Sequence, residues 1–194
     1  MKKALPIIIV LVVLIGGFFM YSMSVRNKAL AFDQEVNTSW ADVQGAYQRR
    51  NDLIGNLVNT VKGAADFEKS TLEAVVNARA KATSINIDPS NVTPEQFQEF
   101  QQAQSGVSSA LGRLLVTVEK YPDLKTNQNF LKLQDELAST ENQIFTQRSR
   151  FNQTVKAYNT YIGGEPQTYF LGKYQPRAHF QAEAGAEKAP EVKF

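Results

Sequence analysis

YQRRNDLIGNLVNTVKG, residues 47–63, sets two arginines and a glycine inside a run of helical apolar spacing. Tyr47, Arg50, Ile54, Leu57 and Val61 follow steps of three and four, so they share one face of a helix. Arg50 therefore falls on the apolar face, and Arg49 points elsewhere. A guanidinium on such a seam has two solutions. It can pack its stem and carry its head to the wet edge of a bundle. Otherwise it requires an acidic partner, because burying a lone charge is costly.

The same steps extend backwards through Val25, Ala29, Phe32, Val36, Trp40 and Val43. The face slips once, at Val36–Trp40, which a long helix absorbs as a stutter. The result is a helix from about residue 25 to 62, roughly 55 Å long at 1.5 Å per residue. Gly63 and Asp66 interrupt it. A shorter helix follows from about Phe67 to Thr83, with Leu72, Val75, Val76 and Ala82 as its apolar side. SINIDPSNVTPEQ reads as a loop, and within it Thr93-Pro94-Glu95-Gln96 is a helix start. Threonine is the cap, proline takes the first turn and glutamine stands where a capping box needs it.

Phe97, Phe100, Gln104, Val107, Leu111, Leu114, Val118 and Tyr121 alternate steps of three and four, a coiled-coil seam, and Pro122 ends that helix. A fourth helix runs from about Asn127 to Ile162. Its seam is Phe130, Gln134, Leu137, Glu141, Ile144, Arg148, Phe151, Val155, Tyr158 and Ile162, and Gly163-Gly164 stops it. The fold class is all-α: an antiparallel up-and-down four-helix bundle with the long pair side by side. The alternative fuses the first two helices into one rod and leaves three long helices. A glycine inside a helix costs only about 1 kcal/mol, so Gly63 alone does not decide between them.

Antiparallel pairing brings Arg50 level with Glu141, with Arg148 about two turns further along. Arg50, Glu141 and Arg148 are thus the expected structural polar network. Such a pair fixes register among helices whose other seam positions are interchangeable. Gly55, beside Ile54, marks a place for a slight bend or a close helix approach.

Ahead of the bundle, ALPIIIVLVVLIGGFFMYSM (residues 4–23) carries no charge. About 20 residues make about 30 Å of helix, the thickness of a bilayer's hydrocarbon core. The alternative is a cleaved signal peptide, with a small-x-small site at Ala29–Ala31, though the apolar run exceeds the usual 7–15 residues or so of such a leader. Lys2 and Lys3 before the segment nearly tie with Arg26 and Lys28 after it, and slightly favour a bundle outside the cytoplasm. The expected organisation is an anchor over 1–25, a bundle over 26–165 and an aromatic-spotted tail over 166–194. AEAGAEKAPEVKF closes that tail as a surface segment.

Trp40 with Val43, RRNDLIGNLVNTVKG, the ARA at 78–80, LQDELASTENQIFTQRSRFNQTVKAYN (133–159) and the closing APEVKF together resemble the LemA family of bacterial membrane-anchored helical proteins. The resemblance covers nearly all of the chain beyond the anchor. It implies an N-terminal transmembrane helix, an up-and-down helical bundle and no enzymatic activity. Members usually carry proline where this chain has Gly55.

Chemistry is sparse in the residues themselves. The chain has no cysteine, which excludes disulfides, a thiol nucleophile, a lipoprotein anchor and a zinc–thiolate site. Its one histidine, His179, lies beyond the four helices. Glu136 and Glu141 therefore lack the Glu-x-x-His motifs that a di-metal bundle needs. No cofactor and no metal is expected. The formal charge of +2 is accounted for by Lys2 and Lys3, and no basic stripe suits nucleic acid. The expectation is a non-enzymatic, single-pass protein of the bacterial cytoplasmic (inner) membrane. It would contact the lipid bilayer through residues 4–23, act as a scaffold or assembly factor and form a homo-oligomer. The alternative is a sensor or adaptor bound to another envelope protein.

Overall fold

The computed structural model describes residues 5–63 and 67–181, and among these residues all regular structure is helical. Lys2, Lys3, Ala4, Asp66 and the closing AEAGAEKAPEVKF lie outside the described residues. Helix α1 spans Leu5–Lys62, α2 Lys69–Ser84, α3 Pro94–Val118, the single turn α4 Pro122–Lys125, and α5 Gln128–Gly163. A 3₁₀ turn at Gln167–Tyr169 follows, after a cis Glu165–Pro166 peptide.

The apolar N-terminal segment and the first bundle helix are one element. At 1.5 Å per residue, the 58 residues of α1 extend about 87 Å. Residues 5–21 are exposed along their whole length, and α1 is the one described helix long and apolar enough to cross a membrane. Its buried face begins at Val25 and Ala29. Ala29 is therefore a core residue at the very site where a signal peptidase would cut, so removal of a leader there would strip the core of Val25 and Ala29.

Helix α1 ends at Lys62 and α2 folds back along it, which brings the Arg79 side chain against Gly55. The fused-rod alternative is thereby excluded, and the order is up, down, up, down. Successive α1–α5 contacts pair Val25 with Tyr161, Ser39 with Thr154, Asp42 with Arg150 and Arg50 with Glu141, an antiparallel register held over the shared length. Ala29, Ser39 and Ala46 on α1 and Thr140 on α5 are small and buried, so these two backbones approach closely. Helix α2 packs on α3 in the same antiparallel way, with Phe67 against Tyr121 at 4.8 Å between ring centroids.

Local chemistry sets the ends. Gln96 N–H donates to Thr93 Oγ1 at 3.2 Å and Thr93 N–H donates to Gln96 Oε1 at 3.0 Å, a complete capping box at the start of α3. Asn127 Oδ1 accepts from the backbone N–H groups of Asn129 and Phe130 at 3.0 and 3.1 Å and starts α5. Pro122 opens the turn α4 rather than only closing α3, since its fixed φ suits a first helical position.

The core divides into two clusters. The membrane-proximal one centres on Trp40, whose ring lies 5.2–6.1 Å from those of Phe97, Phe100, Phe151 and Phe180. The distal one gathers Ile54, Leu57, Val61, Val75, Val107, Leu114 and Phe130. Residues 170–181, set apart as tail by their lack of helical spacing, pack on the bundle, and Leu171 and Phe180 are buried in the proximal cluster.

Candidate functional site

Between the two apolar clusters lies a polar layer centred on Arg50, which is only 1 % exposed. Three elements converge on its guanidinium. Nη1 donates to Glu141 Oε1 at 3.0 Å and to Ser108 Oγ at 3.1 Å. Nη2 donates to the side-chain oxygen of Gln104 and, at 3.4 Å, to its carbonyl. The ring of Tyr47, one turn earlier on α1, lies 5.0 Å from the guanidinium carbon. Gln104 is itself buried and reaches the Ala82 carbonyl at the end of α2 at 3.5 Å. The layer thus joins α1, α3 and α5 directly and α2 through Gln104.

The electrostatics are asymmetric. The Arg50 side chain is 2 % exposed, whereas that of Glu141 is 39 % exposed. The cation is held inside, and its carboxylate closes the layer from the solvent side. Arg50 Nε and the neighbouring Asn51 Oδ1 are buried without a hydrogen-bond partner. A layer with such orphan atoms is poorly suited to adding net stability and well suited to penalising any register that removes Glu141 from Arg50.

The other expected residues fall differently. Arg148 sits about 10 Å along α5 from Glu141, and its guanidinium carbon lies 4.6 Å from the ring centroid of Phe180. The C-terminal segment thus brings an aromatic face to that flank of α5. Gln134, placed on the seam by its spacing, is exposed. Helix α1 passes unbroken through Gly55, where an added Cβ would meet Arg79 Nη2 at an ordinary 3.8 Å. The close approach at Gly55 is thus made by a side chain rather than by a helix backbone.

A second arrangement was not read from the sequence. The extended segment up to Gln181 is held by three primary amides, each of which both donates to and accepts from one residue's backbone. Asn159 takes Arg177 at 2.8 and 3.0 Å, Asn152 takes Phe180 at 2.9 and 2.9 Å, and Gln101 takes Gln181 at 3.3 and 2.7 Å. Arg177 also pairs with Asp33 of α1, and its guanidinium carbon lies 5.5 Å from the Tyr158 ring centroid. Burial raises the Tyr158 hydroxyl above the ordinary tyrosine value, against the opposing pull of Arg177. The available signal was Asn152 and Asn159, two poor helix formers seven residues apart on one flank of α5.

No cluster of three or more histidine, aspartate or glutamate side chains able to hold a metal occurs among the described residues. His179 lies exposed at the rim of an open cleft of about 420 Å³ between the start of α3 and the amide-held segment.

The chain is similar in sequence to known proteins. The chain is 24 % identical over 180 residues to magnetosome protein MamQ 2 of Paramagnetospirillum magneticum, covering 83 % of this chain and 66 % of that protein. It is 24 % identical over 160 residues to magnetosome protein MamQ of Magnetospirillum gryphiswaldense, covering 74 % and 59 %. It spans less than two thirds of either of those two relatives. It is 23 % identical over 168 residues to Protein LemA of Metamycoplasma hominis, covering 83 % of this chain and 73 % of that one. Residues 39–194, which take in the Arg50 layer, both asparagine clamps and the segment they hold, match the LemA family, and the chain belongs to that family.

Proposed function

We propose that the protein is a non-enzymatic, membrane-anchored helical bundle that acts as a scaffold or assembly factor in the bacterial envelope by self-association. The observation that carries this reading is the continuity of α1. The exposed apolar segment 5–21 runs into the bundle core at Val25 without a loop, so anchor and bundle are one stiff element. The bundle stands on the non-cytoplasmic side of the cytoplasmic membrane, following the lysines that precede the anchor. Apolar side chains on its flanks supply contacts between copies: Phe145 on α5 is 75 % exposed and Val116 on α3 is 71 % exposed. The magnetosome names of two relatives fit a role in organising membrane structures.

An adaptor reading has one observation in its favour. An open cleft of about 390 Å³ at the distal tip, lined by Lys62, Phe67, Leu72, Glu73 and Val76, could receive a partner protein. Crosslinking in native membranes separates the two. The chain has no cysteine, so Phe145→Cys gives a unique site. A scaffold yields crosslinks between copies of this chain from residue 145. An adaptor yields none there and crosslinks to a different protein from a cysteine placed at Val76.

A further inference from the structure

The base of the bundle carries a feature that packing within the chain does not consume. The 3₁₀ turn and the residues after it descend beside α1, and the ring of Phe170 lies 5.5 Å from that of Phe18 and 5.6 Å from that of Tyr21. The exposed apolar run of α1 extends to Met23. Phe18 lies about 7 Å inside that end at 1.5 Å per residue. Phe170 therefore sits at the depth of the headgroup–acyl boundary if the apolar run of α1 occupies the hydrocarbon core. Its neighbour Tyr169 is 79 % exposed. Lys28 and Lys173 are both exposed on the same base, their ammonium groups 5.4 and 5.6 Å from the ring centroids of Tyr161 and Tyr174.

We infer that residues 167–173 form a second membrane-contacting element, a short loop whose Tyr169 and Phe170 insert at the bilayer interface while Lys28 and Lys173 reach the lipid phosphates. The occupant of this surface is the bilayer itself, since the loop is continuous in space with the apolar face of α1. Tyrosine suits that position, with a ring in the acyl boundary and a hydroxyl in the headgroup layer. Lysine stems likewise follow apolar surface and release their charge at the phosphates. Two points of attachment, one on α1 and one after α5, hold the bundle at a fixed tilt, where a single helix would leave it free to rock. This inference rests on the reading of the apolar segment of α1 as the membrane span.

The cysteine-free chain allows a direct test. Tyr169→Cys, Met20→Cys and Lys69→Cys are each labelled with a nitroxide in vesicles of phosphatidylcholine and phosphatidylglycerol. Collision rates with oxygen and with a water-soluble nickel chelate report depth. Met20 marks the span, and Lys69, whose side chain is 88 % exposed, marks water. The expected result is nickel accessibility at residue 169 several-fold below that at 69, with oxygen accessibility approaching that at 20. If 169 matches 69 while 20 reports lipid, the inference fails and the anchor stands. If 20 and 169 both match 69, the anchor reading fails and the inference falls with it.

Discussion

Replacing Glu141 with leucine tests the polar layer where it is least redundant. The guanidinium of Arg50 has 2 % of its side chain exposed and four hydrogen bonds, of which one goes to a carboxylate. Complete loss of compensation for a buried charge costs about 3–5 kcal/mol. Here the Gln104 and Ser108 contacts survive, and the half-exposed site of Glu141 admits water. The penalty should be nearer the cost of one unsatisfied buried donor, about 1–3 kcal/mol. For a chain of this size that lowers the thermal midpoint by about 2–12 °C. Adding Arg50→Met to Glu141→Leu removes the buried charge itself, and the double variant should recover part of the loss, the remainder reflecting buried Gln104 left without its partner. The assay is thermal and denaturant unfolding of the full chain in detergent, followed by far-ultraviolet circular dichroism and by Trp40, which lies in the proximal cluster. A double-mutant cycle then gives a coupling energy of at least about 1 kcal/mol. A Glu141→Leu protein as stable as the parent, with one sharp transition by both probes, would refute the reasoning.

Other expectations follow from the same contacts. Gly55→Ala should stabilise α1 by up to about 1 kcal/mol, since its Cβ would find ordinary contact with Arg79; a loss of stability in the same unfolding assay would mean that the glycine permits a bend. Asn152→Ala leaves the Phe180 N–H and C=O without their partner, a cost of about 1–3 kcal/mol that better helix propensity only partly offsets. Limited proteolysis should then cut after residue 170 faster than in the parent protein. Asp88 accepts from the Ser90 backbone N–H at 2.8 Å and from the Asn91 side chain, which hold its carboxyl below the ordinary aspartate value. Its contribution is therefore present above the unfolded-state value and disappears as the pH falls through the lowered folded value. Asp88→Asn should cost stability at neutral pH and nothing in acid, as measured by unfolding at the two pH values.

The four helices were legible because their seams are long and regular. Val25 through Val61 and Phe97 through Val118 repeat one face many times, and Thr93-Pro94 and Gly163-Gly164 punctuate it. Arg50 and Glu141 were legible for the same reason, since two helices of known ends fix which residues stand level. Seam arithmetic counts only helices, so it could not show what meets Arg148 beyond them. The residue that draws it, Phe180, lies in an extended segment with no periodicity to read. The amide clamps were missed for a related reason. Asn152, Asn159 and Gln101 act on backbone groups, and a backbone leaves no trace in the identity of the residue it belongs to. Gly55 drew attention as a helix breaker, yet a continuous hydrogen-bonded helix packed along its length tolerates one weak position.

The stiff join between span and bundle also links the two halves of the account. A bundle on a flexible tether samples many orientations relative to its anchor, whereas the continuous α1 holds the bundle in line with its apolar segment. The most direct measurement of the proposed role is the native mass of the intact protein extracted in mild detergent, with every co-purifying protein identified. A scaffold gives a large, homogeneous particle made of this chain alone. A monomer carrying one stoichiometric membrane partner would contradict self-association and establish the adaptor reading in its place.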